Sequence, residues 1–230
     1  MNKIYLFKTL LILFFVSVFL PETSFSKEYL SPEELEKWFN SDDELPTNKV
    51  NEGNLKFINN IDSENIFRST INISIDQESI EQGWTTLSQC YSNLDPISLT
   101  AIVFRKKFIK NIEVISSENI RSTKISGPKV ILNDVSQNAK ICIKLSSRNF
   151  YQNEDKSFSL VNGPYHRKFF DGYFPYHLTL NIQYDPNLKY HYSVPKKQKG
   201  FSVKQKRHAL KVSALFEGKL NTEFRFNLIN

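Results

Sequence analysis

Hydrophobic and polar residues alternate with a period of two along much of the chain from about residue 65 onward. The segment from Phe174 to Tyr184 is typical, because every second residue is aromatic, Leu or Ile and the residues between them are Pro, His, Thr, Asn and Gln. The segment from Leu220 to Leu228 alternates in the same way. This pattern indicates strands with one buried face and one wetted face, as in antiparallel sheets.

The alternating and β-branched runs predict eleven strands, at 66–75, 84–91, 98–104, 111–117, 129–135, 139–148, 157–162, 174–184, 188–194, 207–216 and 220–228. Two turn signals, Asp185-Pro186-Asn187 and Glu217-Gly218, are expected to close hairpins between consecutive strands. Many short strands at this spacing predict an all-β fold, a mostly antiparallel β-sandwich or an open barrel. A short N-terminal helix is predicted to begin at Ser31-Pro32, where a capping residue precedes a proline.

Three segments are predicted along the chain. Residues 1–26 have a basic start, an uncharged apolar run from Thr9 to Leu20 and small residues at Ser24 and Ser26, which is typical of a secretory signal peptide. An uncleaved membrane anchor is the alternative. Residues 27–64 are predicted to form an acidic helix and linker, and residues 65–230 the β-sandwich domain.

Composition and cysteine usage agree with an exported protein. With 40% hydrophobic residues and 13% aromatic residues, the chain can form a packed core. Cys90 and Cys142 are the only cysteines, and in an oxidising compartment they are expected to form a disulfide. Because Ile141 and Ile143 alternate with Cys142, this disulfide should lie on the polar surface of its sheet. Closing the loop would stabilise the fold by roughly 4 kcal/mol.

The segment 162–176 is rich in aromatic residues and lies between two predicted strands. One interpretation is a recognition loop that anchors a partner, while the other is a plug that closes one end of the sandwich. In the first interpretation, Arg167 and Lys168 would receive an anion or an acidic patch of a partner. The candidate binding residues are Tyr165, His166, Arg167, Lys168, Asp171, Tyr173 and Phe174.

A second candidate is the basic segment 195–211, which contains no acidic residue and is expected to be a flexible loop. It could contact anionic lipid headgroups or cell-wall polymers, or it could neutralise the acidic segment 27–64. Its basic residues are Lys196, Lys197, Lys199, Lys204, Lys206, Arg207 and Lys211.

The sequence contains none of the common nucleotide-binding, hydrolase or zinc-protease motifs. If Asp185-Pro186-Asn187 closes a hairpin, His177 and His191 lie roughly 13 Å apart along the strands, too far to share a metal ion. We therefore predict no catalytic residue, metal or cofactor.

The expected function is that of a non-catalytic binding or structural module of the cell envelope, periplasmic or extracellular. The expected partner is a protein or an anionic envelope polymer, with no nucleic acid and with membrane contact only through the signal peptide or at the periphery. Two alternatives are a hydrolase of envelope polymers that uses His166 and Asp171 as an acid–base pair, and a carrier of an apolar ligand inside the sandwich.

Overall fold

The computed structural model describes residues 54–59, 66–169 and 172–229, and their regular structure is almost entirely β. The predicted fold class is confirmed, because mixed and antiparallel sheets pack as a sandwich-like all-β fold. The predicted signal peptide and N-terminal helix lie outside the described residues.

Nine strands form the larger sheet: β1 (Lys56–Phe57), β2 (Arg68–Ile75), β3 (Trp84–Leu94), β4 (Ile97–Val103), β5 (Ile109–Ser126), β6 (Lys129–Arg148), β11 (Tyr176–Tyr184), β13 (Phe201–Lys206) and β14 (Ala209–Glu217). Four strands form the smaller sheet: β7 (Phe150–Gln152), β8 (Phe158–Tyr165), β12 (Leu188–Val194) and β15 (Leu220–Leu228). A two-stranded hairpin consists of β9 (Lys168–Phe169) and β10 (Gly172–Tyr173). The described helices are α1 (Gln77–Gln82) and a 3-10 turn (Lys106–Phe108).

The larger sheet has the order β1-β14-β11-β2-β3-β6-β4, with β13 also pairing β14 and β5 also pairing β6. Its only parallel pair among the described strands is β11 with β2. The smaller sheet has the order β12-β15-β8-β7 and is antiparallel. Strand β1 lies in the segment predicted to be a linker, yet it pairs with β14.

Both predicted hairpins are wrong. Strand β11 pairs with β2 and β14 in the larger sheet, whereas β12 pairs with β15 in the smaller sheet. The turn at Asp185–Asn187 therefore carries the chain from one sheet to the other, and the turn at Gly218 does the same between β14 and β15. A turn residue specifies a local change of direction but not the sheet that the next strand joins. His177 and His191 consequently lie in different sheets.

Helix α1 was not predicted, because six residues are too few to show a helical period. Its start is set by Asp76, whose carboxylate accepts a hydrogen bond of 2.8 Å from the backbone N–H of Ser79. Its end is set by Gly83, which adopts the left-handed conformation with φ of 79°.

The core lies between the inward faces of the two sheets. Tyr184 of the larger sheet packs against Phe226 of the smaller sheet with ring centroids 5.1 Å apart, and Phe150 also contacts Phe226. Phe150, Phe224 and Phe226 are almost completely buried. Burying each such side chain contributes about 1.5–3 kcal/mol, so this double layer of apolar faces holds the sheets together.

The predicted disulfide is confirmed. Cys90 of β3 and Cys142 of β6 are cross-strand partners with Cα atoms 4.0 Å apart. Both cysteines are half-buried on the outward face, whereas the adjacent Ile141 and Ile143 are fully buried in the core. The disulfide therefore joins two central strands on the surface of the sheet, as the alternation predicted.

Candidate polar binding face

The aromatic segment 162–176 packs largely on the body of the protein. Tyr176 is 4% exposed, and its hydroxyl donates a hydrogen bond of 2.9 Å to the Ser69 hydroxyl. Burial raises the pKa of Tyr165 and Tyr176 well above the ordinary range for tyrosine. The ring of Tyr176 also packs edge-on against Phe67 at 4.9 Å. Tyr176 therefore belongs to the core, and the half-buried Tyr165 packs against it.

The guanidinium group of Arg167 is held by an internal carboxylate. Its Nε and Nη2 atoms both donate to Asp95, with Nε at 3.1 Å from Oδ2. Its Cζ lies 5.8 Å from the ring centre of Phe67 and 5.4 Å from that of Phe174. A bidentate pair between aromatic rings fixes this side chain, so Arg167 fastens the segment to the loop after β3.

The other predicted binding residues of this segment also have intramolecular contacts. The Tyr173 ring lies 5.9 Å from the His166 ring and 5.8 Å from Nζ of Lys168. Asp171 lies outside the described residues. These contacts match the plug interpretation of the segment, while its role in recognition stays a prediction.

The basic segment 195–211 is not simply a flexible loop. Phe201–Lys206 forms β13, which pairs with β14 through a turn at Arg207 and His208. The signal in the sequence is the alternation of the buried Phe201 and half-buried Val203 with polar neighbours. The lysines at 196, 197 and 199 precede this strand and are exposed, as is Arg207 in the turn.

From β13 to β5, the outward face of the larger sheet is a largely polar surface, which we call the polar face. Residues that are neighbours across the strands form two rows on it. The first row runs from β13 to β5 through Lys204, Lys211, Asn181, Asn72, Ser88, Lys144 and Glu113. The second row runs through Lys206, Ala209, Gln183, Ser74, Thr86, Ser146 and Lys110. Strands are about 4.8 Å apart, so Lys211 and Ser88 are separated by about 14 Å along the first row.

A groove of about 460 Å³ crosses the polar face between these rows. Its floor consists of six neutral polar side chains: Asn72, Ser74, Thr86, Ser88, Asn181 and Gln183. Lys206 and Lys211 line one side of the groove, and the small Ala209 lies between them and Gln183. The amide of Asn181 donates to the Asn72 side-chain oxygen at 2.9 Å. The groove is thus built from short polar side chains bounded by two long cationic ones.

The lysines at the two flanks of the polar face have different surroundings. On the β5–β6 flank, Lys140 forms an ion pair of 3.3 Å with Glu118, and Lys144 is the cross-strand partner of Glu113. On the same flank, Nζ of Lys110 lies 4.2 Å from the ring centre of Trp84.

On the β13–β14 flank, Lys204, Lys206 and Lys211 form what we call the lysine cluster. All three are exposed, and none takes part in an ion pair within the described part of the chain. Lys204 and Lys211 are direct cross-strand partners, an arrangement of like charges that destabilises a sheet. The cluster therefore concentrates positive charge that the surrounding described residues do not neutralise.

His177 lies further along the polar face, in a hydrogen-bonded position. Arg68 Nη1 lies 2.5 Å from His177 Nδ1, and His177 Nε2 lies 3.2 Å from the Ser213 hydroxyl oxygen. Since a guanidinium group can only donate, Nδ1 accepts and the neutral ring carries its proton on Nε2, which donates to Ser213. Burial and the adjacent Arg68 cation lower the pKa of His177. A histidine in this state is poorly suited to activate Ser213 as a nucleophile.

Nothing in the described ranges groups three or more His, Cys, Asp or Glu side chains in a way that could hold a metal ion. Within the same ranges, no helix is long and apolar enough to cross a membrane. The groove just described and a smaller depression beside Gly200 both open to the surface. The carrier alternative requires a cavity of about 300 Å³ or more between the sheets, and it stays a prediction.

No protein-family model matches this chain, and no curated protein does so either. Among solved structures, the chain is similar to an M1 zinc metallopeptidase from Deinococcus radiodurans bound to a Tyr-Ser-Ala substrate, with a TM-score of 0.39 and 8% identity. A second structure of the M1 zinc metallopeptidase from that organism gives a TM-score of 0.38 and 9% identity. Both alignments cover 75% of this chain and 42% of the peptidase. Likeness at this level carries no argument about function.

Proposed function

We propose that this protein is a non-catalytic binding module that holds an anionic partner on its polar face. The observation that carries the proposal is the lysine cluster beside a groove of neutral polar side chains. Positive charge without an intramolecular counterpart attracts anionic ligands and raises their rate of association. This proposal retains the binding role predicted for the basic segment 195–211, which contains a strand as well as a loop.

Protection of a sheet edge is a second explanation for lysines on this flank. Strand β13 pairs only with β14 among the described strands, and edge strands commonly carry lysines that prevent pairing with other chains. That explanation covers Lys204 and Lys206. It does not cover Lys211, which lies on β14 between β11 and β13. Lys211 is therefore the residue that separates binding from edge protection.

We further propose that the protein is exported to the cell envelope. The N-terminal 26 residues have the pattern of a secretory signal, and a disulfide is typical of oxidising compartments. An anionic polymer of the envelope is then a partner that the polar face would meet.

The test is a titration with three anionic probes of similar length: polygalacturonate, polyphosphate and polyglutamate. The variant Lys204→Glu/Lys206→Glu/Lys211→Glu should bind the preferred probe at least about tenfold more weakly, since each lysine near an anionic surface contributes about 1 kcal/mol. The matched control is Lys106→Glu/Lys107→Glu/Lys124→Glu, which changes the net charge equally but lies elsewhere.

A specific site predicts that the control keeps most of its affinity and that Lys211→Ser alone weakens binding. Equal losses in the two triple variants would show that only net charge matters. If Lys211→Ser binds normally while Lys204→Ser/Lys206→Ser aggregates, edge protection is the correct explanation.

A further inference from the structure

We propose that the groove on the polar face binds an acidic polysaccharide, whose carboxylates face the lysine cluster and whose hydroxyl groups contact the groove floor. This inference rests on the proposed function and specifies its ligand. It depends on three properties of the groove: the hydrogen-bonding capacity of its floor, the position of its charges, and the absence of aromatic side chains from its lining.

The floor presents both donors and acceptors. Hydroxyl and amide side chains can each donate and accept hydrogen bonds. The bond between Asn181 and Asn72 uses one donor and one acceptor, which leaves an oxygen on Asn181 and an N–H₂ group on Asn72 directed to other partners. A ligand that offers only acceptors, such as polyphosphate, cannot satisfy the acceptor atoms of this floor, whereas the hydroxyl groups of a sugar can satisfy donors and acceptors alike.

Among the residues that line the groove, the charged ones are confined to one side. Lys206 and Lys211 line it at β13 and β14, while its opposite side is formed by Thr86 and Ser88 of β3. Asp76 follows the end of β2, and its carboxylate accepts a hydrogen bond from the backbone N–H of Ser79 as the cap of helix α1. A ligand matching this arrangement carries anionic groups along one edge and neutral polar groups along the other. A uronate sugar has this distribution, because its C6 carboxylate and its C2 and C3 hydroxyl groups lie at opposite edges of the ring.

The groove offers little to a protein partner. The apolar residues that line it, Ile73, Ile182 and Leu210, are at most 2% exposed, because their side chains point into the core. No aromatic side chain lines the groove. The residues that contribute most to protein–protein binding are Trp, Tyr and Arg, and none of these lines the groove.

The experiment compares polygalacturonate, polyphosphate and polyglutamate of equal charge, and uncharged dextran, as ligands of the full chain. Polygalacturonate should bind most tightly and dextran should bind weakly, because the hydroxyl contacts and the lysine contacts are both required. The floor variant Asn72→Ala/Asn181→Ala should lower the affinity for polygalacturonate by about tenfold, as expected for the loss of one or two hydrogen bonds, and should change polyphosphate binding less than about twofold.

Two controls keep the result interpretable. Asn133→Ala/Asn227→Ala removes two amides that are not in the groove, the half-buried Asn133 and the exposed Asn227, and it should bind like the parent chain. If the floor variant does not fold, as judged by circular dichroism, Ser74→Ala/Gln183→Ala tests the same floor through different side chains.

The outcomes separate the two proposals. Preference for polyphosphate, or equal weakening of both polymers in the floor variants, would overturn the polysaccharide inference and leave an anion-binding lysine cluster. Preference for polyglutamate would favour an acidic polypeptide instead. If no polymer binds and the lysine variants have no effect, the proposed function itself fails.

Discussion

Lysines on the two flanks of the polar face have different surroundings. Lys140 and Lys144 face glutamates of β5, and Lys110 lies over an indole ring. The three residues of the lysine cluster have no carboxylate partner in the described part of the chain, and two of them are direct cross-strand neighbours. Because both flanks belong to one sheet and are exposed, composition alone does not explain the difference. We propose that Lys140, which has an ion-pair partner, contributes to structure, whereas the lysines of the cluster remain for a ligand.

The disulfide between the flanks gives the largest expected effect. Cys90→Ser/Cys142→Ser removes a link between β3 and β6 and should lower the free energy of unfolding by about 2–4 kcal/mol, as measured by urea denaturation. Binding at the lysine cluster should persist at temperatures where the variant is folded, because β13 and β14 are separated from the disulfide by β11 and β2. Loss of binding by the folded variant would show that both flanks act together.

A substitution of Arg167 tests whether a cation that is paired with a carboxylate stabilises the fold. Arg167→Met keeps much of the apolar contact with Phe67 and Phe174 but leaves Asp95 without its bidentate donor. The free energy of unfolding should fall by about 1–3 kcal/mol, and the affinity for anionic polymers should stay unchanged. The opposite result, lower affinity with unchanged stability, would support the recognition role predicted for the aromatic segment.

The β5–β6 flank can be converted into a second cationic site. Glu113→Gln/Glu118→Gln removes the acidic neighbours of Lys144 and Lys140 without changing side-chain size. Binding of polyphosphate should increase by several-fold, and its salt dependence should become steeper, because additional lysines can now release counterions. Titrations at two salt concentrations measure both effects. Unchanged binding would mean that the geometry of the β13–β14 flank, and not the lack of partners, determines where anions bind.

The sequence predicted where the strands lie better than which strands pair with each other. The alternation in Phe174–Tyr184 and Leu220–Leu228 identified strands and their buried faces, and the polarity around Cys142 placed the disulfide correctly. The same local pattern contains no information about pairing, so the turns after Tyr184 and Glu217 were interpreted as hairpins although they join different sheets.

The polar face was missed for the same reason. His177, Thr179, Asn181 and Gln183 were visible as the polar side of one strand. The groove also needs Asn72 and Ser88, more than 90 residues away in the chain, and a parallel pairing places Asn72 beside Asn181. By contrast, the aromatic segment 162–176 can be identified from the sequence, because its residues are contiguous. Most of its described contacts are internal.

His177 should make the stability of the polar face depend on pH. Its pKa in the folded protein is lowered by burial and by Arg68, so the unfolded chain binds a proton more readily. The contribution of His177 to stability is therefore complete above the ordinary histidine pKa of about 6.5 and decreases as the pH falls below it. His177→Gln, which can still accept from Arg68 and donate to Ser213, should show a smaller decrease in melting temperature between neutral and mildly acidic pH. An identical decrease in both proteins would contradict the assignment.

The pair of like charges formed by Lys204 and Lys211 gives the smallest expected change in the free energy of unfolding. It is also the most direct test of the comparison between the two flanks. Lys204→Thr removes one of two opposed cations and introduces a residue that favours strands, so it should raise the free energy of unfolding by about 0.2–1 kcal/mol at low salt. High salt should reduce this gain, because exposed charges are screened. The matched variant Lys140→Thr should leave stability unchanged or lower it slightly, since an exposed ion pair with Glu118 contributes about 0–1 kcal/mol. If Lys204→Thr is more stable but binds anions more weakly, Lys204 is maintained for a ligand at the expense of the fold. If it is less stable than the parent chain, the lysine cluster has a structural role and the contrast between the two flanks disappears.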